Sequence, residues 1–276
     1  MNSKTRDSDW FVHTQGTRFE RLEAYFGGHA FNPHRHDTYA IGLTLSGVQS
    51  FHYRGALRSS TPGHTIVVHP DELHDGHAGS ASGFRYRMLY VPPTLIQDIL
   101  GGQPLPFVPG GIVRDAALGR AVGRLLRHVQ APFEGFEEDD ALFDLTRALC
   151  RYGPHPPTPR HIDYPAAERA RDYLDTAADR GVTLAELEGV SGQNRWRLSR
   201  DFRLLYGTSP YRYLTMRRLA HARRQLERGV RPAAAAFEAG FADQSHMTRQ
   251  FSDAFGITPG RWAALIAARR REAQHS

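Results

Sequence analysis

Between residues 28 and 92, hydrophobic and polar positions follow one another in short runs: Tyr39–Leu45, Val48–Tyr53, Thr65–His69 and Phe84–Tyr90. In the last run Phe84, Tyr86, Met88 and Tyr90 alternate with Arg85 and Arg87, which predicts a strand with one buried and one wetter face. Ser46-Gly47 and Pro62-Gly63 supply turns, and strands so closely spaced predict a small barrel or sandwich. From Ile112 the period lengthens. Leu118, Val122, Leu125, Leu126 and Val129, then Leu142, Leu145, Leu149 and Tyr152, predict a helical hairpin. Its apolar stripes serve either the barrel or a subunit contact, so a homodimer stays open. Gly153-Pro-His-Pro-Pro-Thr-Pro159 cannot form a helix interior. The expected division is therefore a domain over 1–152, a linker over 153–162 and a second domain over 163–276.

The second domain contains a repeat. Arg200, Phe202, Gly207, Ser209 and Pro210 recur as Arg249, Phe251, Gly256, Thr258 and Pro259, each pair 49 positions apart. In the first unit, Thr183 with Glu186 reads as a capping box opening a short helix. Gly189 to Gln193 then permits a turn, a second helix follows from about Asn194 to Tyr206, and Gly207 is placed to end it. Ser209-Pro210 starts the next helix. The second unit runs over Ala233–Glu238, turns at Gly240-Phe241 and continues over about Asp243–Phe255. Helix, short turn, helix, twice, is the helix-turn-helix outline.

Charge supports a polyanionic partner for this half only. Residues 1–150 hold 14 Lys+Arg against 16 Asp+Glu, a net of −2, whereas residues 151–276 hold 21 Arg against 13 acidic residues, a net of +8. Lys4 is the only lysine, so arginine richness partly reflects a general residue preference. The rest of the composition, 40% hydrophobic and 23% charged with no apolar run of membrane-spanning length, is that of a soluble globular chain. The N-terminus has no apolar core, and the single cysteine, Cys150, reads as a small core residue; the cytoplasm is the expected compartment.

On a helical wheel Leu198, Phe202 and Leu205, and likewise Met247, Phe251 and Ala254, form the inward stripes of the second helices. Trp196, Arg200 and Arg203, and Ser245, Arg249 and Ser252, face the other way. A recognition helix meets base edges mainly through its first turns. That selects Arg195, Trp196, Arg197 and Arg200 in one unit, and Gln244, Ser245, His246 and Arg249 in the other. Arginine suits guanine and Gln244 suits adenine. Between the units, Pro210–Arg228 predicts a rod of about 27 Å at about 1.5 Å per residue. It would set two recognition helices into successive major-groove segments of double-stranded DNA.

Arg195-Trp-Arg-Leu-Ser-Arg-Asp-Phe202, Gly207-Thr-Ser-Pro210, Arg217-Arg-Leu219 and Gly240-Phe-Ala-Asp-Gln-Ser-His-Met-Thr-Arg-Gln-Phe251 closely resemble the AraC/XylS family. The resemblance implies a seven-helix domain with two DNA-binding motifs. It places base contacts on Trp196, Arg200, Gln244, Ser245 and Arg249, and makes RNA polymerase a further partner. Ala233–Ala236 departs from the larger aliphatic residues usual there. Pro33-His-Arg-His-Asp-Thr-Tyr-Ala-Ile-Gly42 and His69-Pro-Asp-Glu-Leu-His-Asp-Gly76 are similar to the cupin-like effector-binding barrel found upstream of that domain. The implied fold class is α+β multidomain: a cupin-like β-barrel with a helical hairpin, then an all-α domain.

Within the barrel, His34, His36 and His74 resemble the metal-binding histidines of catalytic cupins and could hold a divalent metal. Ala40 and Ile41 stand where those enzymes usually carry a glutamate. The reading is therefore a small-molecule sensor without catalysis and without a required cofactor, with His34, Arg35, His36, Tyr39, Glu72 and His74 as candidate effector contacts. A metal-dependent cupin enzyme fused to a DNA-binding domain is the alternative.

Overall fold

The structure, a computed structural model, describes residues 9–15, 18–133, 136–152, 161–264 and 266. Of the expected linker 153–162, all but His161 and Ile162 lies outside the described residues. The chain forms two compact units, one of residues 1–33 and 38–161, the other of residues 34–37 and 162–276.

In the first unit a six-stranded sheet runs in the order β1 (Trp10–Gln15), β2 (Glu20–Phe26), β9 (Phe84–Val91), β4 (Tyr39–Gly47), β7 (Thr65–Val68), β10 (Ile112–Val113). A four-stranded sheet runs β3 (His29–His34), β8 (His74–Ala78), β5 (Gln49–Tyr53), β6 (Ala56–Ser60). One core, with Leu22, Ala24, Phe51, Tyr53, Ile66, Val68, Phe84 and Tyr86, draws on strands of both sheets. A second core joins Ile41, Val67, Leu89 and Val91 to helices α2 (Ala116–Leu126) and α3 (Glu137–Cys150) through Leu118, Val122, Leu125, Leu142, Leu145 and Leu149. The six-stranded sheet is thus covered on both faces, which explains why Thr65-Ile-Val-Val68 is buried throughout rather than alternating. The hairpin stripes pack on that sheet. Cys150 is half-buried and burial raises its thiol pKa, as suits an inert packing residue.

Several elements escape the pattern, among them the short strand β10, which stands where the helical period is expected to begin. Helix α1 (Pro93–Leu100) starts on Pro93 and ends at Gly101 in the left-handed region. Strands β1 and β2 lie before the region expected to hold strands, and Glu20-Arg-Leu-Glu-Ala-Tyr-Phe26 is rich in helix formers. Its ladder with β9 overrides propensity. There Glu23 accepts from Arg87 Nε at 2.8 Å and Arg85 Nε at 2.7 Å. Burial pulls its carboxyl pKa up, but these hydrogen bonds prevail and hold it below the usual range. Arg21, 4% exposed, donates to the carbonyls of His128 (3.0 Å) and Ala131 (2.6 Å) and lies 4.7 Å over the Phe133 ring. Arg21→Ala removes both charge-assisted hydrogen bonds and the ring contact, while the His128 carbonyl keeps the Ala131 N–H at 3.1 Å. The expected cost is about 2–3 kcal/mol, read from the denaturation midpoint at unchanged slope.

The second unit contains α4 (Tyr164–Thr176), α5 (Leu184–Ser191), α6 (Arg195–Tyr206), α7 (Pro210–Glu227), α8 (Pro232–Glu238) and α9 (Gln244–Phe255), and is helical again over 259–264. The caps fall where the sequence places them. Thr183 and Glu186 complete a capping box, and Asn194, Ser209 and Asp243 each accept the N–H three residues on. Gly207 and Gly256 end α6 and α9 at φ +73° and +69°. The first turn begins later than predicted: Gly189 stays helical, Ser191 Oγ donates to the Leu187 carbonyl at 2.6 Å, and Gly192 ends the helix. Leu198, Phe202 and Leu205 are buried with α4 and the start of α7, whereas Met247, Phe251 and Ala254 are buried with the rest of α7 and α8. Ala235 and Ala236 are fully buried against α7 residues, so the small side chains of α8 complete a close-packed core. Residues 34–37 belong to this unit through the Arg35 N–H to the Asp253 carbonyl (2.8 Å), Arg212 to the Arg35 carbonyl (2.8 Å) and the Arg217–Asp37 ion pair.

Candidate nucleic-acid interface

The first turns of α6 present a largely cationic surface, and those of α9 a polar one with a single guanidinium. Arg195, Trp196, Arg197 and Arg200 are exposed on α6, and Gln244, Ser245 and Arg249 on α9. Trp196 is 81% exposed, so burial does not explain its place in the sequence. Its plate and the neighbouring guanidinium groups sit at a helix N-terminus, where backbone N–H groups and the helix dipole favour an anion. His246 is half-buried and meets the Phe241 ring edge-on at 5.5 Å, which ties its imidazole to the turn before α9.

Two acidic residues that sequence reasoning passed over hold the α6 cations. Glu188 on α5 accepts the Arg195 backbone N–H at 2.8 Å and its Nε–H at 3.1 Å. Those bonds, the backbone one first, lower the Glu188 pKa. Asp201, fully buried, accepts from Arg200 Nε at 2.9 Å and Nη2 at 2.8 Å on one oxygen. Its other oxygen takes the Asp163 N–H at 3.2 Å. Only the adjacency Arg200-Asp201 could have signalled this, since a helical wheel sends neighbours to different faces.

The candidate effector residues of the N-terminal half are placed differently from one another. Tyr39 is 1% exposed and its hydroxyl donates to the Pro106 carbonyl at 2.6 Å. Glu72 forms an ion pair with Arg54 at 3.6 Å, and Arg35 is exposed. His34 closes β3 and His74 opens β8, and both, like His36, are buried. His74 Nδ1 bonds the Glu72 carbonyl at 2.9 Å, which leaves Nε2 as its ligand atom. Ala40 and Ile41 are core residues whose side chains carry no ligand atom.

His69 was not singled out, yet it organises this half. It is 5% exposed, with Nδ1 2.6 Å from the Tyr53 hydroxyl, Nε2 accepting the Val108 N–H at 2.8 Å and the Phe107 ring stacked at 4.5 Å. Since Nε2 accepts, the ring proton sits on Nδ1 and is donated to Tyr53. Burial foremost, then the Arg54 charge, pushes its pKa down to about 4.

The AraC-like ligand-binding domain matches residues 17–146, and a helix-turn-helix domain matches residues 189–264. The chain belongs to the AraC family. It is a DNA-binding transcriptional regulator with a ligand-binding domain. The HTH-type transcriptional regulator YbfI of Bacillus subtilis is 25% identical over 251 residues, 89% of this chain and 90% of YbfI. The virulence regulon transcriptional activator VirF of Yersinia enterocolitica is 29% identical over 101 residues, 36% of this chain and 37% of VirF. Among solved structures, apo ToxT of Vibrio cholerae superposes with a TM-score of 0.61 at 14% identity, over 91% of this chain and 98% of ToxT, and so shares the fold. YbfI and VirF are named as transcriptional regulators. Among the described residues of this AraC-family chain, no helix is long and apolar enough to cross a membrane.

Proposed function

We propose that this chain controls transcription by reading two sub-sites of one promoter with α6 and α9, under the influence of a small-molecule effector held in its N-terminal half. The observation that carries the reading is the pair of recognition helices 49 residues apart, each capped by Asn or Asp, ended by a left-handed glycine and exposed on a polar face that carries arginine. Trp196, Arg200, Gln244, Ser245 and Arg249 meet bases, while Arg195, Arg197 and His246 divide their contacts between base edges and phosphates. Helix α7, 18 residues or about 27 Å long, holds the two readers about one DNA turn apart. The effector acts by changing the fraction of molecules competent to bind DNA. RNA polymerase is the further partner at the promoter, and a homodimer would double the number of sub-sites read. No cofactor is needed for any of these steps.

Gel-shift titration on the DNA upstream of the chain's own gene and its neighbours tests this. Arg200→Ala is expected to weaken binding to the preferred duplex by about tenfold or more, from the loss of a two-bond base contact, and Arg249→Ala to weaken it measurably from the loss of a charged contact to base or phosphate. Wild-type affinity of both variants for every upstream duplex would refute the reading.

A further inference from the structure

The two helix-turn-helix units share a register of 49 residues, but the acidic residues that hold the cations of α6 have no counterpart in the second unit. Glu188 corresponds to Phe237 and Asp201 to Gln250. Phe237 is 83% exposed, and Gln250 is half-buried with Arg212 Nη1 at 3.4 Å from its carbonyl oxygen. In the first unit, Glu188 grips both the backbone and the side chain of the residue that opens α6. Asp201 grips the inner edge of the Arg200 guanidinium through Nε and Nη2, and is itself held by the N–H that precedes α4. The Arg200 side chain nevertheless stays 49% exposed.

A guanidinium fixed along its Nε edge keeps its plane and direction, and its far end is the edge that reads guanine O6 and N7 side by side. Less side-chain freedom is then lost on reaching the base. An arginine without such a buttress swings readily to the nearest phosphate, which adds affinity and no sequence information. Arg249 is followed by a neutral residue and has no carboxylate at the place of Asp201.

We infer that Asp201 and Glu188 are positioning residues that make the α6 sub-site the specificity-determining half of the DNA surface, with guanine the base read by Arg200, while α9 contributes affinity with shallow base preference. This rests on the reading above that the first turns of α6 and α9 face DNA.

The test uses the full-length protein and a duplex recovered by it from a random-sequence pool, with every base pair of that duplex then substituted in turn. The base read by Arg200 is the one whose substitution ceases to matter in Arg200→Ala. Wild type is expected to lose about tenfold or more in affinity at that guanine and about threefold or less at positions under α9. Asp201→Asn is expected to flatten the preference at that guanine to about threefold or less, while binding to a non-specific duplex and the salt slope stay as in wild type. Asp201→Glu is expected to restore part of the preference. Glu188→Gln, which disturbs no fully buried group, is expected to flatten the preference at the position read by Arg195 and decides the matter if Asp201→Asn does not fold. Equal base preferences in the two sub-sites, or an even loss across specific and non-specific duplexes in these variants, would overturn the inference. If Arg200→Ala and Arg249→Ala weaken binding but Asp201→Asn and Glu188→Gln keep wild-type discrimination, positioning alone fails. If the two alanine variants change nothing, the DNA-facing reading falls first and this inference with it.

Discussion

Phe202→Ala and Phe251→Ala are each expected to destabilise the helical unit by about 3–5 kcal/mol, and each to do so in its own half. Phe202 is fully buried, with Tyr206 at 4.7 Å and Tyr213 at 5.5 Å between ring centres. Phe251, its partner 49 residues on, is equally buried beside Phe255 at 4.6 Å and Trp262 at 6.5 Å. Removing either ring leaves a cavity that the surrounding aromatic side chains fill only in part. The two phenylalanines lie in different cores, so their effects should add to within a few tenths of a kcal/mol. Amide hydrogen exchange reads this directly. Phe202→Ala should lower protection in α4 to α6 more than in α8 and α9, and Phe251→Ala the reverse. Equal losses throughout both halves in either variant would show one shared core.

The second large effect concerns pH and the N-terminal half. His69 is held neutral by burial and then by the Arg54 charge, with its pKa pushed down to about 4 against an unfolded value of about 6.5, and its Nε2 accepts the Val108 N–H. The unfolded state binds the extra proton first. Its contribution is therefore fully present above pH 6.5, declines as the pH falls from about 6.5 to about 4, and changes no further below that. The full shift is worth about 3 kcal/mol. Protonating Nε2 in the folded protein removes the acceptor of the Val108 N–H, so that amide should lose local exchange protection as the pH falls through about 4, beyond the pH dependence of the intrinsic exchange rate. His69→Gln should be less stable at pH 7.5 and show a shallower loss between pH 6.5 and 4. A variant with the same slope as wild type in that window would show that other groups carry the acid sensitivity.

How much of this was legible in the sequence followed the range of the forces involved. Caps and stops act over three or four residues, so Thr183 with Glu186, Asn194, Ser209 and Gly207 announced the helices of the second unit nearly to the residue. The two-unit outline was legible for the same reason, because a repeat displays each local signal twice. Long-range pairing left weaker traces. Nothing local in Glu20–Phe26 says strand, and β2 exists because β9 offers it a ladder and Arg85 and Arg87 offer Glu23 two guanidinium groups. In the candidate interface the exposed cations could be picked from helix position alone. The carboxylates behind them could not: Asp201 is a charged residue buried inside a helix, a placement that depends on the incoming N–H of Asp163, 38 residues earlier. His69 was hidden likewise, since its partners Tyr53 and Val108 meet only in the folded unit.

Helix α7 belongs to both cores of the helical unit, giving Tyr213 and Leu214 to one and Met216, Leu219, Ala222 and Leu226 to the other. An α-helix couples length to angle, about 1.5 Å and 100° per residue. Adding or removing one residue in α7 would therefore turn one reader away from the groove as well as move it along the axis. The rotational phase between the two sub-sites is thus set by an integer, the number of residues between Pro210 and Glu227, while the loops around it are free to change in length.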